Sequence, residues 1–500
     1  MLRTKRFVRL LAALVAIATT STSLAKQPNI LWIYIDDQSP WYSSYGDELV
    51  ETPNIDALAS QGVLFERAYT PTPVCAPARS AIITGAYSIR TGTHDMRSGR
   101  VPSHQIHLPE GVTTLPQLFR KAGYETYNGT KDDYNFSYSQ ADLYSIPRDL
   151  PSGNVYGDLD YGGGSYKGPQ GSGHWQDVPK GKPFFGQMRV SGGKSVGSIN
   201  EVLAGYGLEP VTPDGVRVPL QYPDIPLVRQ HIADHYNSIQ RTDHEVGETI
   251  ARLKADGLWE NTVVFLFSDH GSDLPRSKEF CYTEGLHVPL IVVAPGMQDV
   301  VRPGTRRSDI VDLLDVAASS LALAGVPVPE YMDSRNMFDE DYSREYVFSS
   351  ADRMSNVIDR VRSVIGPRYH YLRNFMTDRP LINWGHREMV SLERGTATSF
   401  LAIRKLFEEG KLTPAQAAAY GPRVAEELYD LESDPDETVN LAGDPAHQEK
   451  LVEMRAALEG WIKDTDDKGQ YPRSRAALEE VMGRLPRSWL KSPEFADMEQ

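Results

Sequence analysis

Residues 29–37 read Asn29-Ile30-Leu31-Trp32-Ile33-Tyr34-Ile35-Asp36-Asp37. The unbroken apolar run Ile30 to Ile35 marks a strand buried on both faces, as in a parallel sheet, and it stops at two acids. A second run of the same kind, Thr262 to Phe267, also ends in an acid, in Ser268-Asp269-His270-Gly271. Helix signals alternate with these strands. Thr52 is placed as a cap, Pro53 at the first helical position, Ile55, Leu58 and Ala59 on one face, and Gly62 at the end. Further helices are expected from near Pro77 to Gly85, from Thr114 to Gly123, from Leu227 to Lys254 and from Asp309 to Ala324. Tyr124 to Asn128, Pro183 to Val190 and Val288 to Ala294 read as strands. This alternation predicts an α/β fold: a doubly wound, mainly parallel sheet with helices on both faces. In such sheets ligands sit beyond the carboxyl ends of the strands, where Asp36-Asp37 and Asp269-His270 lie.

Outside this core the chain changes character. Arg3, Lys5, Arg6 and Arg9 precede the apolar run Leu10 to Ala18, and Ser23-Leu24-Ala25 offers a cleavage site, so residues 1–25 read as an export signal. The protein is therefore expected to be exported, periplasmic or secreted, without a stable membrane anchor. Residues 26–340 carry the α/β pattern. From about Glu345 short strands (Glu345 to Phe348, Tyr369 to Phe375, Glu427 to Leu431) and a helix from Pro445 to Trp461 predict a smaller α+β region over 341–500. Residues 135–182 are rich in Gly, Tyr, Ser and Pro and read as a solvated insertion or as a substrate-facing lid. With 52 Lys plus Arg against 67 Asp plus Glu, the 500-residue chain has a formal charge of −15, which argues against nucleic acid as a partner.

Two acidic clusters at the ends of neighbouring strands make a hard-cation site, because carboxylates brought together need a cation to neutralise them. A single acid after a strand is usually a turn or cap, so the argument rests on the two together. In Pro73-Val74-Cys75-Ala76-Pro77-Ala78-Arg79-Ser80, Pro77 suits a first helical turn. That puts Cys75 at a helix N-terminus, where the dipole stabilises an anion, with Arg79 on the same face. The alternatives for Cys75 are a structural thiol or a disulfide with Cys281, the second of only two cysteines.

At these residues the chain resembles the formylglycine-dependent sulfatases of the alkaline-phosphatase superfamily. Their signature C-x-P-x-R, followed by T-G, is matched by Cys75, Pro77, Arg79, Thr84 and Gly85. The likeness runs from Asn29 to Glu427-Leu428-Tyr429-Asp430-Leu431 and Asp434-Pro435-Asp436-Glu437. The resemblance implies that Cys75 is converted to formylglycine by a formylglycine-generating enzyme and that its hydrate is the nucleophile. It implies a divalent cation, Ca²⁺ before Mg²⁺, held by Asp36, Asp37, Asp269, His270 and the modified Cys75. His270 stands where Asn or Gln is common. Arg79 would hold the hydrate, and Lys131 and Lys278 would bind sulfate. Where the family often carries a leaving-group histidine, this chain has Ser191-Gly192-Gly193-Lys194, which makes Lys194 the substitute. His287, His174 and His104 are the other candidates for the acid.

The expected activity is hydrolysis of sulfate esters, with N-sulfate removal as a variant. A sulfated carbohydrate is the expected substrate, with Trp175, Trp384 and His386 as cleft residues. The rival readings are a phosphodiesterase or phosphonate monoester hydrolase of the same superfamily, and a catalytically silent glycan-binding protein.

Overall fold

The computed structural model describes residues 27–129, 131–146, 175–193, 199–496 and 498. The expected export signal, Lys194, His174 and residues 147–174 of the insertion lie outside the described residues.

The strands are β1 (Asn29–Ile35), β2 (Val63–Tyr69), β3 (Arg100–Val101), β4 (His104–Gln105), β5 (Glu125–Asn128), β6 (Phe184–Val190) and β7 (Thr262–Ser268). They continue with β8 (His287–Val293), β9 (Thr305–Asp312), β10 (Val347–Ala351), β11 (Val361–Ile365), β12 (Tyr369–Asn374) and β13 (Glu426–Asp430). Seven of them form the main sheet, in the order β5-β6-β1-β7-β8-β2-β9. All pairings in it are parallel except those of β8 with β7 and with β2. The reversal follows from the connection over residues 269–286. It leaves β7 and enters β8 at the same edge of the sheet, so β8 must run back.

β1 is buried along its whole length and lies between β6 and β7. Its side chains alternate between two cores. Leu31, Ile33 and Ile35 pack with Ile232, Ile239 and Val246 of the long helix Pro226–Ala255. Ile30, Trp32 and Tyr34 pack with Phe119, Val316 and Leu321 on the other face. Helices on both faces explain why the β1 sequence is apolar without alternation.

Two expectations need correction. Residues 309–324 are not one helix. Asp309 to Asp312 finish β9, and the helix is Asp315–Leu323. Exposed and half-buried residues alternate over the first part of this edge strand, which hides it from a search for apolar runs. Strand β2 escaped notice because Glu66 and Arg67 interrupt its apolar residues.

The second sheet is antiparallel, β10-β11-β12-β13, with the helix Gln448–Asp464 against it. Leu451, Met454, Leu458 and Trp461 of that helix share a core with Val364, Tyr371 and Leu428 of the sheet and with Ala81, Ile89 and Leu314 of the main body. Ser349 Oγ donates to Thr70 O at 2.8 Å and Ser350 N to Pro71 O at 3.0 Å. The second sheet thereby grips the loop that leads to Cys75. No helix among the described residues is long and apolar enough to cross a membrane.

Candidate active site

In the sheet Ile35 pairs with Ser268, so Asp36-Asp37 and Asp269-His270 emerge side by side. The main-chain N–H of Asp37 lies 3.4 Å from Asp269 Oδ1, and Asp37 adopts φ +58. Gly192 and Gly193, just past β6, close on this turn. Gly193 N donates to Asp36 O at 2.9 Å, and a Cβ on Gly192 would stand 1.7 Å from the same oxygen. Only glycine permits that approach.

The helix that carries Cys75 is Cys75–Thr84, two residues longer at its start than the sequence suggested, with Val74 as extended N-cap. Cys75 is thus the first helical residue. Pro77 is tolerated because first-turn N–H groups have no partner within the helix. Every residue of the helix is buried, and Gly85 ends it at φ +67. Cys75 Sγ lies 3.1 Å from His270 Nε2 and 3.9 Å from Asp37 Oδ1. The alternative disulfide does not form. Cys281 lies among Arg362, Asp352 and Ser363, and burial pushes its thiol well up.

Arg79 is buried and organises the carboxylates. Its Nη2 is 2.5 Å from Asp36 Oδ1, its Nε is 2.9 Å from Asp269 Oδ2, and Nη1 donates to Lys131 O at 3.1 Å. The guanidinium stacks on Tyr34, 4.3 Å from the ring centre. Arg189 Nη1 reaches the other oxygen of Asp36 at 3.0 Å, and Lys131 Nζ stands 3.6 Å from it. Lys278 Nζ lies 2.5 Å from Asp37 Oδ2. Lys131 also faces Asp133 at 3.3 Å, and Arg100 Nη2 bonds that carboxylate at 2.6 Å.

The remaining donors suit a divalent cation. Asp37 Oδ1 is 3.1 Å and Asp269 Oδ1 3.6 Å from His270 Nε2. Ligand atoms of Asp37, Cys75 and His270 all lie within 4.8 Å of one another. His270 Nδ1 lies 3.0 Å from Gly271 O, which fixes that nitrogen as a donor and makes Nε2, facing the carboxylates, the nitrogen that gains or gives up the second proton. Burial lowers the pKa of this imidazole, but Asp269, Asp37 and Cys75 outweigh it and raise the value to about 10. A proton on His270 thus takes the place of a cation among buried carboxylates.

Asp36, Asp37, Cys75, Arg79, Lys131, Asp269, His270 and Lys278 are therefore gathered in one cluster. Other residues singled out in the sequence are not part of it. His287 Nε2 bonds Glu66 O at 2.8 Å, and His104 Nδ1 bonds Glu480 at 2.7 Å. Trp175 is buried and donates to Asp256 at 2.7 Å, so it lines no cleft. The Trp384 ring is covered by Arg404, 4.3 Å from its centre. Arg189 was missed, although a charge near the carboxyl end of the apolar stretch Phe184 to Val190 is a signal for it.

Sheet and cluster together are those of an alkaline-phosphatase-like α/β enzyme whose reacting groups gather at the carboxyl edge of the strands. The sulfatase sequence profile matches residues 28–326. The chain belongs to the sulfatase family and is a sulfuric ester hydrolase. An ulvan-active sulfatase of Formosa agariphila is 29% identical over 497 residues, covering 91% of this chain and 78% of that protein. The human N-sulphoglucosamine sulphohydrolase is 24% identical over 477 residues, covering 89% and 91%. Among solved structures, a 2-O GAG sulfatase superposes with a TM-score of 0.60 at 22% identity, covering 93% and 98%. A phosphonate monoester hydrolase of Agrobacterium radiobacter shares the fold at a TM-score of 0.59 and 16% identity, covering 88% and 96%.

Proposed function

We propose that this is an exported sulfatase that removes sulfate from a sulfated carbohydrate by means of a formylglycine made from Cys75. The observation that carries the reading is the placement of Cys75 Sγ, 3.1 Å from His270 Nε2 at the start of a buried helix, among Asp37, Asp269, Arg79 and the two lysines. The sulfated-carbohydrate substrate is taken from the ulvan-active relative and the N-sulphoglucosamine sulphohydrolase. Residues 26–340 form the catalytic part and 341–500 the smaller part that braces it.

Asp37, Asp269, His270 and residue 75, with Asp36 alongside, would hold a divalent cation. Calcium is preferred to magnesium because it accepts an irregular ligand set. Bound there, the cation supplies Lewis-acid charge for a sulfate oxygen and favours ionisation of a nearby hydroxyl. Oxidised and hydrated, residue 75 offers one hydroxyl to attack sulfur, breaking the bond from sulfur to the sugar oxygen so that the protonated alcohol leaves, and a second whose deprotonation expels sulfate and restores the aldehyde. Arg79 fixes Asp36 and Asp269 so that their charges stay aimed at the helix start. Asp269 takes the proton of the attacking hydroxyl. Lys131 and Lys278 neutralise the sulfate oxygens as charge moves onto them, and the family resemblance assigns Lys194 the role of protonating the leaving group.

Peptide mass spectrometry of residue 75, combined with sulfate release measured by ion chromatography on sulfated oligosaccharides and matched phosphonate esters, tests this. An aldehyde at position 75 and faster turnover of the sulfate esters are expected. An intact thiol in native material, or preference for the phosphonate, would overturn it.

A further inference from the structure

We propose that the cleft between residues 39–49, 215–221 and 283–287 is a second binding site, for a sugar that carries a primary ammonium group. The proposal goes beyond the sulfatase reading and does not depend on it, since none of the residues gathered around Cys75 lines this cleft.

The cleft measures about 810 Å³, within the range of sites that hold small organic ligands. Trp41 and Tyr236 form part of its wall, with ring centres 5.2 Å apart and planes tilted by 34°, and Trp41 is only half-buried. Glu284 and Gln221 line the same cleft. The Glu284 carboxylate accepts from Tyr222 Oη at 2.7 Å and from Gln221 Nε2 at 2.8 Å, and both donors are neutral. Arg276 acts on it from a distance, but Arg276 Nη2 is bonded to the carbonyls of Asp436 and Glu437 at 3.2 and 2.9 Å. Burial outweighs these donors and raises the pKa of Glu284 to about 7, as happens to a carboxylate withdrawn from water without a counter-ion. A carboxylate can only accept, so Gln221 must turn its Nε2 towards Glu284. Its Oε1 is then left buried with no hydrogen-bond partner, on a residue only 8% exposed. An acceptor without a donor, bonded through its own amide to a carboxylate without a cation, calls for a positively charged donor.

The rest of the lining carries the same sign. Two arginines reach the cleft, and each is matched by an acid that also lines it: Arg306 lies 2.9 Å from Glu66 and Arg217 3.2 Å from Asp436. His287 is kept neutral, because burial lowers its pKa to about 4. Asp47, Glu48 and Glu284 therefore remain without a cation. Asp47 accepts only from Tyr236 Oη at 2.7 Å and Leu49 N at 2.9 Å, and Glu48 makes no ion pair among the described residues. Three uncompensated carboxylates repel a sulfate or a uronate. Among the described residues no three His, Cys, Asp or Glu side chains close on one point here, as they do at Cys75, so the cleft does not offer a metal cage. An ammonium group fits instead. It brings one charge and three N–H donors, enough for both Glu284 and Gln221 Oε1. The cleft is far larger than an ammonium ion, and the indole of Trp41 suits the ring that bears it.

The test is calorimetric titration of the full chain with two tetrasaccharides of one skeleton, glucosamine and N-acetylglucosamine, which differ in the ammonium group. Physiological salt screens the chain's overall charge of −15. The free-amine sugar should bind at least about tenfold more tightly than the acetylated one, and Glu284→Gln and Trp41→Ala should each weaken it at least about tenfold. Glu48→Lys alters an exposed side chain, so folding is not at stake, and should weaken the amine at least about threefold. Equal binding of the two sugars overturns the proposal in favour of a neutral-sugar site. Amine binding unchanged in both Glu284→Gln and Glu48→Lys also overturns it. Sulfate-ester turnover by converted Glu284→Gln enzyme should stay within about twofold of the parent's, and a larger loss would mean that the cleft is not separate from the sulfate-ester site. Because binding is read without turnover, an inactive parent enzyme counts against the sulfatase reading alone.

Discussion

Arg79→Lys is the most informative single change at the centre of the site. The arginine fork spans two buried carboxylates, Asp36 at 2.5 Å and Asp269 at 2.9 Å, and adds a bond to Lys131 O at 3.1 Å. A lysine carries the same charge but can meet only one carboxylate, so one charge-assisted bond and one carbonyl bond are lost. At about 1.5–3 kcal/mol for the first and about 1 kcal/mol for the second, the loss is about 2.5–4 kcal/mol. Because the carboxylates that swing loose are those set against residue 75, most of this should appear in the transition state. At about 1.4 kcal/mol per factor of ten, kcat/KM should fall about 10²–10³-fold, with Tm lower by a few degrees. The assay is sulfate release normalised to the aldehyde content of residue 75, so that poor conversion is not mistaken for poor catalysis. A variant within about fivefold of the parent and equally stable would falsify the view that the fork organises the site.

Three further outcomes follow from the same geometry. Asp269→Asn should lose its divalent metal, by elemental analysis, together with activity; full metal content would remove Asp269 from the ligand set. Lys278→Ala loses the charged contact to Asp37 at 2.5 Å and should lower kcat/KM about 10–100-fold with little change in Tm, and unchanged kinetics would exclude a sulfate contact. His235 is 3% exposed; burial, reinforced by His231 and opposed by Asp273 and Asp37, lowers its pKa to about 3. The folded value is depressed below about 6.5, so the stability tied to the neutral ring is present above pH 6.5 and is lost as pH falls towards 3. The slope is up to about 1.4 kcal/mol per pH unit. Melting curves of His235→Gln should therefore decline less between pH 7 and 5 than the parent's, and parallel declines would contradict the assignment.

Much of the site was legible because it depends on local rules. Two buried parallel strands that each stop at an acid must present those acids at one edge, and β1 and β7 proved to be neighbours. A cysteine two residues before Pro77 had to start a helix. What stayed hidden depends on distant partners. Whether His287 or His104 serves chemistry is decided by Glu66 O and Glu480, far off in sequence. Trp175 is withdrawn from any cleft by Asp256. The reversal of β8 comes from where its connection lies, and the apolar composition of the strand does not record direction.

The C-terminal α+β region also sends contacts to the lysine beside Asp37. Arg387 Nη1 bonds Asp273 through both its carbonyl, at 2.9 Å, and its Oδ1, at 2.5 Å, while Nη2 donates to Lys278 O at 2.9 Å. The guanidinium also packs over Phe400, 4.6 Å from the ring centre. Arg387 thus ties residues 273–278 to the helix His386–Arg394 and holds the backbone of Lys278, so it is a positioning residue for that side chain. Arg387→Ala releases two main-chain bonds and leaves Asp273 without its partner, which should lower kcat about 10–50-fold through a displaced Lys278. Metal content should stay intact, since Asp37, Asp269 and His270 are held by β1 and β7. Combining Arg387→Ala with Lys278→Ala separates positioning from a general loss of structure. If Arg387 acts through Lys278, the double variant should be no worse than Lys278→Ala alone, whereas additive losses would mean that the two residues contribute independently.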